Sequence, residues 1–119
     1  MSLDIHRIDG VDYVRFFSSS TASSYVSAPK FGKGVFEILS CAFYTYPTYE
    51  TVVPARIVYR WNDSDGNSVL KILKSGYIGC GHSLEIQNVK IIGPGEVAGW
   101  QEALSTSNLF ELTYRRVSS

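Results

Sequence analysis

The chain has 119 residues, 45% of them apolar, and its eleven lysines and arginines balance eleven aspartates and glutamates. That length fits one domain, able to bury roughly two-thirds of its unfolded surface, and the charged fraction of 18% lies below the ~25% usual in soluble domains. Such a surface has no basic field to draw nucleic acid or an anionic membrane and tolerates association with other proteins.

The N-terminus, MSLDIHRIDG, carries acids and lacks the basic and apolar regions of a signal peptide, so synthesis in the cytoplasm is expected. No apolar run approaches the ~20 residues of a membrane-spanning helix. Leu3–Ile8 and Val11–Phe17 flank Asp9-Gly10 and predict a hairpin with a tight turn. Ser18–Gly34, SSSTASSYVSAPKFGKG, is mostly small and polar, and predicts a long Ser-rich loop or arm over 18–34. Tyr25, Val26 and Phe31 give this segment apolar anchors, which assigns them to an interface with a neighbouring subunit.

Val35–Tyr46 reads as a strand apolar on both sides, with Ile38 and Phe43 on opposite faces, which predicts cover from a second sheet or another subunit. Val53–Trp61 alternates Ala55, Ile57, Tyr59 and Trp61 with Arg56 and Arg60, the period of two of a strand with one buried face. The turn Asp63–Asn67 joins it to Val69–Ser75, where Leu70 and Ile72 are expected to face the core. Glycines punctuate Ser75–Ser83 as a bend. Leu84, Ile86, Val89 and Ile91 form a strand whose phase changes near Gln87 and Asn88, the mark of a β-bulge. Gly93-Pro94-Gly95 ends it, Val97–Trp100 is a short separate strand, and Leu109–Val117 closes the chain. No stretch holds a capped helical period. The prediction is an all-β single domain over 1–119, a two-sheet β-sandwich or jelly roll of about eight strands.

Catalytic clusters are missing from this pattern, so no catalytic residue, metal site or cofactor is assigned and an enzyme is not expected. Asp63, Asp65 and Asn67 resemble part of a calcium loop but lack its closing glutamate and flanking helices, which favours a hairpin turn. Cys80-Gly81-His82 pairs a thiol with an imidazole, and a zinc site would need Cys41 and His6 to join them from distant strands; a packed cysteine at a bend is the favoured reading. Tyr44, Tyr46, Tyr49 and Trp61 gather aromatic surface near the turn 47–51. Such a platform serves stacked sugar rings, a protein interface, or simple packing at the strand ends, and Tyr44, Tyr46 and Tyr49 join the interface assignment.

Taken whole, the short all-β chain, its few charges and its Ser/Thr-rich segment are similar to small virion proteins of tailed bacteriophages, of the capsid decoration or cement type. The tail GPGEVAGWQEALSTSNLFELTYRRV, with its closing Leu-Phe-Glu-Leu-Thr-Tyr-Arg-Arg strand, resembles the ends of such jelly rolls. The resemblance implies a virion location, a symmetric homo-oligomer (a trimer above all), the major capsid protein as partner, and no catalysis, nucleic acid or membrane. The alternative is a β-sandwich module binding a carbohydrate or host receptor through the Tyr44–Tyr49 and Trp61 aromatics.

Overall fold

The computed structural model describes residues 2–20, 25–45, 50–102 and 108–118. They form seven strands and no helix: β1 (Ser2–Ile8), β2 (Val11–Ser20), β3 (Tyr25–Thr45), β4 (Val53–Asn62), β5 (Ser68–Ile78), β6 (Leu84–Gln101) and β7 (Asn108–Ser118). All are antiparallel in one hydrogen-bonded ladder of order β1-β2-β7-β3-β6-β4-β5.

That ladder folds over into a two-layer sandwich. In β3, Val26 pairs with Gly99 of β6, whereas Phe43 pairs with Leu84. In a flat sheet those positions would stand about 55 Å apart at ~3.3 Å per residue. Yet a β-carbon on Gly99 would lie 2.8 Å from the Phe43 ring and 2.9 Å from that of Phe110. The long β3–β6 pair therefore doubles back, and each strand serves both layers. Layer one holds β1, β2, β7, the 35–45 part of β3 and the 84–92 part of β6. Layer two holds β4, β5 and the remaining parts of β3 and β6. The thinnest dimension, 21 Å, suits two sheets packed ~10 Å apart with their outer side chains.

Local sequence explains where the pair bends. The β3–β6 register slips between Ser27 and Lys30 and again between Phe31 and Gly34, opposite Pro94. Proline has no N–H for the ladder, so a bulge is where a strand tolerates it. A β-carbon on Gly93 would collide with the Gly32 carbonyl oxygen; glycine lets the two backbones close there. Gly93-Pro94-Gly95 thus bends one continuous strand rather than ending it, a correction that merges the two strands expected over 84–100. Likewise Ser18–Ser20 close β2 and Tyr25–Gly34 open β3, where a long loop was expected; residues 21–24 lie outside the described residues. Pairing with a central strand satisfies a backbone whose side chains carry little strand propensity.

The turn at Asp9 and Gly10 is as expected, with φ of 52° and 77°, the positive pair a two-residue hairpin requires. Between the layers, Phe31, Phe36, Ile38, Cys41, Phe43, Ile57, Tyr59, Ile86, Val97, Phe110 and Leu112 share one buried cluster, with Trp61 and Tyr114 packed against it. Ile38 and Phe43 are both in it, so the opposite-face expectation is corrected. The β3–β7 register slips between Ile38 and Ser40, inserting Leu39 and restoring the inward phase at Cys41. Asn88, at φ 56°, stands across from it, so the slip read from Gln87–Asn88 occurs in both strands at once. Leu70 and Ile72 are 40% and 45% exposed, also against expectation. The β4–β5 register slips between Ile57 and Val58, which turns Leu73 to the core and Ile72 outward.

Candidate functional site

Layer two carries an outer face built along β4, where Pro54, Arg56, Val58 and Arg60 alternate with the buried Ala55, Ile57 and Tyr59. β4 lies between β5 and β6, whose side chains on one face therefore stand ~10 Å apart. Pro54 pairs with Tyr77 of β5, and Arg56 pairs with Ser75 of β5 and Trp100 of β6. A groove of about 460 Å³ results, with Tyr77 and Trp100 as walls, Pro54 and Arg56 between them, and Ser75 and Glu102 at the rim. Tyr77 is 56% exposed. The Arg56 guanidinium carbon sits 4.2 Å from the Trp100 ring centroid, a cation–π contact that holds both side chains in place.

Further along the same face Arg60 forms an ion pair with Glu96, and Lys30 of β3 stands opposite Glu96 in the ladder. Val58 and Ala98 lie between these pairs yet are buried, because the long side chains beside them cover them. Beyond Arg60, at the end of the strand, lies a second pocket of about 470 Å³, lined by Lys30, Arg60, Asn62 and Glu96 from the outer face and by Phe31 and Trp61 from the inward side. Trp61 stacks on Tyr59, with centroids 5.5 Å apart and planes at 29°. The Tyr59 hydroxyl donates to the Ile92 carbonyl at 2.7 Å, and burial raises its pKa, so it stays a donor. The Trp61 ring is thus held against the inward side of β4.

Chemically, the face offers two aromatic rings at its Tyr77–Trp100 end and guanidinium, carboxylate, amide and hydroxyl groups along its length. Rings suit the C–H faces of sugars, and polar groups suit their hydroxyls. A third pocket, about 400 Å³, lies on the outer face of layer one, where Tyr44, His82, Glu85 and Glu111 surround Ala42.

The expected aromatic cluster is therefore divided. Tyr44 lines the layer-one pocket and Trp61 the layer-two pocket, and these share no lining residue. Tyr46 and Tyr49 lie outside the described residues. Tyr25 and Val26 occupy ladder positions opposite Trp100 and Gly99, and their side chains lie outside the description. Phe31 is 4% exposed and packs on Phe36 at 5.0 Å and Tyr114 at 4.7 Å, so its ring belongs to the chain's own core. Tyr77 and Trp100 went unnoticed in the sequence because each sits at the end of a glycine-interrupted stretch. The available signal was Arg56, on the polar side of β4, whose cross-strand neighbours they are.

The remaining constellations are structural. The Asp63 carboxylate accepts from the N–H groups of Asp65 at 2.9 Å and Asn67 at 2.8 Å, so it closes a hairpin turn. Cys41 is buried in the core, with its thiol pKa raised by that burial, whereas Cys80 is exposed, which corrects the packed cysteine expected at that bend. The His82 Nδ1 lies 3.2 Å from the Gly79 carbonyl. Among the described residues no group of three or more His, Cys, Asp or Glu side chains is placed to hold a metal ion.

No family model matches the chain, and no curated protein matches it in sequence. Solved structures do share its fold. The CBM22-1 xylan-binding domain of Xyn10C from Paenibacillus barcinonensis superposes with a TM-score of 0.53 at 12% identity, over 99% of this chain and 82% of that one. The CBM22-1 module of Clostridium thermocellum endo-1,4-beta-D-xylanase 10B, in a CBM22-1–GH10 structure complexed with xylohexaose, gives 0.52 at 13% identity, over 97% of this chain and 24% of that chain. The C-terminal family 22 carbohydrate binding module of Clostridium thermocellum Xyn10B gives 0.51 at 7%, over 98% and 82%. At these identities the likeness is one of fold: the chain is a β-sandwich of the kind found in these modules.

Proposed function

We propose that this chain is a non-catalytic carbohydrate-binding β-sandwich and that the outer face of layer two takes an extended polysaccharide. The observation that carries the reading is the groove on the outer side of β4, where the Tyr77 and Trp100 rings flank Pro54 and Arg56 and a polar row of Arg56, Arg60 and Glu96 continues along the strand. From Pro54 to Asn62 that strand spans about 26 Å at ~3.3 Å per residue, room for several sugar units in line. The three sandwiches above, all carbohydrate-binding modules by their descriptions, support the class. Gel retardation and calorimetry with soluble xylan, mixed-linkage glucan and mannan test it. Binding to at least one is expected, and Tyr77→Ala should weaken it about tenfold, or ~1.4 kcal/mol, with an unchanged melting temperature because Tyr77 is exposed. Absence of binding to every polymer, or full binding by Tyr77→Ala, rejects the reading. A virion decoration protein would instead bind assembled capsids and no glycan.

A further inference from the structure

The charges along the outer face of layer two are unevenly matched. Glu96 is held by Arg60 in an ion pair, and Lys30 stands opposite it in the ladder. Arg56, further back along β4, is half-buried. Among the described residues it pairs with no carboxylate and donates no hydrogen bond. Its contact is with the Trp100 ring, whose centroid lies 4.2 Å from the guanidinium carbon. That contact uses a face of the guanidinium and leaves its fork of N–H donors available. Ser75 stands beside it on β5, and this short side chain leaves the groove open next to the guanidinium. Glu102, at the rim, is exposed and solvated and does not supply the missing counter-charge.

A polymer settling into this groove takes water away from Arg56. A neutral sugar would leave the cation without compensation, whereas a carboxylate would replace the lost water with a bidentate, charge-assisted pair. We propose, resting on the polysaccharide reading above, that the groove takes a uronic acid residue of an acidic polysaccharide, with its C–H face on Tyr77 and its carboxylate on Arg56. The spacing agrees. The row holding Pro54 and Tyr77 and the row holding Ser75, Arg56 and Trp100 are two residues, or ~7 Å, apart along the strands. That matches the span from the centre of a pyranose, through its C6 carboxylate and one hydrogen bond of ~2.8 Å, to the donor nitrogen. The Ser75 hydroxyl adds a second donor beside the same carboxylate. Because Arg60 and Lys30 already answer Glu96, the face suits an isolated carboxylate rather than a dense row of sulfates.

Calorimetry on the full chain with matched polymers tests this. Glucuronoxylan, polygalacturonate and alginate are each compared with the same polymer after reduction of its carboxyl groups to alcohols. At least one acidic polymer is expected to bind about tenfold more tightly than its reduced partner, and added salt should narrow that gap. Arg56→Gln should bring the two to equal affinity. Arg56→Lys, which keeps the charge but not the fork, should keep part of the gap. Any displacement of Trp100 in these variants acts on both members of a pair, so the ratio isolates the carboxylate. No gap in any of the three pairs overturns the proposal while the polysaccharide reading stands on the neutral polymers. An unchanged gap in Arg56→Gln, or tighter binding of a sulfated galactan than of every uronate polymer, overturns it equally. Binding to no polymer, acidic or neutral, removes both.

Discussion

Gly99 shows how one missing side chain sets the spacing of the two layers. With 2.8 Å to Phe43 and 2.9 Å to Phe110, a methyl there overpacks a junction of two fully buried rings. Gly99→Ala should lower unfolding free energy by about 1–3 kcal/mol, measured by urea denaturation. The two thiols should separate cleanly: a thiol reagent should modify one cysteine, the exposed Cys80, in the native chain, and reach Cys41 only in denaturant. Burial raises the pKa values of Cys41, Tyr59 and Tyr114 above their ordinary 9.0 and 10.0. The folded chain therefore holds protons that the unfolded chain releases in alkali. Stability from these groups is whole below about pH 9 and falls as pH rises further, so the urea midpoint should decline on the alkaline side.

The elements repeat the lesson that a phase, rather than a composition, decides which side of a strand is buried. Asn88 holds φ 56°, which asparagine tolerates and a β-branched residue does not. Asn88→Val should cost about 1–2 kcal/mol, and Asn88→Gly should be close to neutral in the same denaturation assay. This slip was legible in β6, where polar Gln87 and Asn88 interrupt the apolar alternation. Its partner in β3 was not, because Leu39 is itself apolar and hides the extra residue in a run that looks two-sided. The turns at Asp9-Gly10 and Asp63–Asn67 and the inward side of β4 were equally plain, since each rests on neighbours in sequence. Pairing of β3 with β6 and β7 was not legible, nor was the groove, whose walls Tyr77 and Trp100 meet only because β4 lies between their strands. The segment 18–34 misled for the converse reason: small polar residues advertise a loop, but a central ladder needs only backbone.

At the scale of the whole molecule, far-ultraviolet circular dichroism should show a β spectrum with negligible helix, as the described residues contain none. β1 has one neighbour, whereas β3 and β6 lie in the middle of the ladder, so amide exchange should begin at β1 and reach β3 and β6 last. Both terminal strands, β1 and β7, belong to layer one, while the proposed polysaccharide face belongs to layer two. A load applied between a bound polymer and either terminal strand has to cross from one layer to the other. The hydrogen-bonded route is the doubled β3–β6 pair, held by a ladder running from Tyr25–Trp100 to Phe43–Leu84. Tension along those strands must shear many bonds together rather than unzip them one at a time, which makes the shared pair a mechanical clamp as well as a seam.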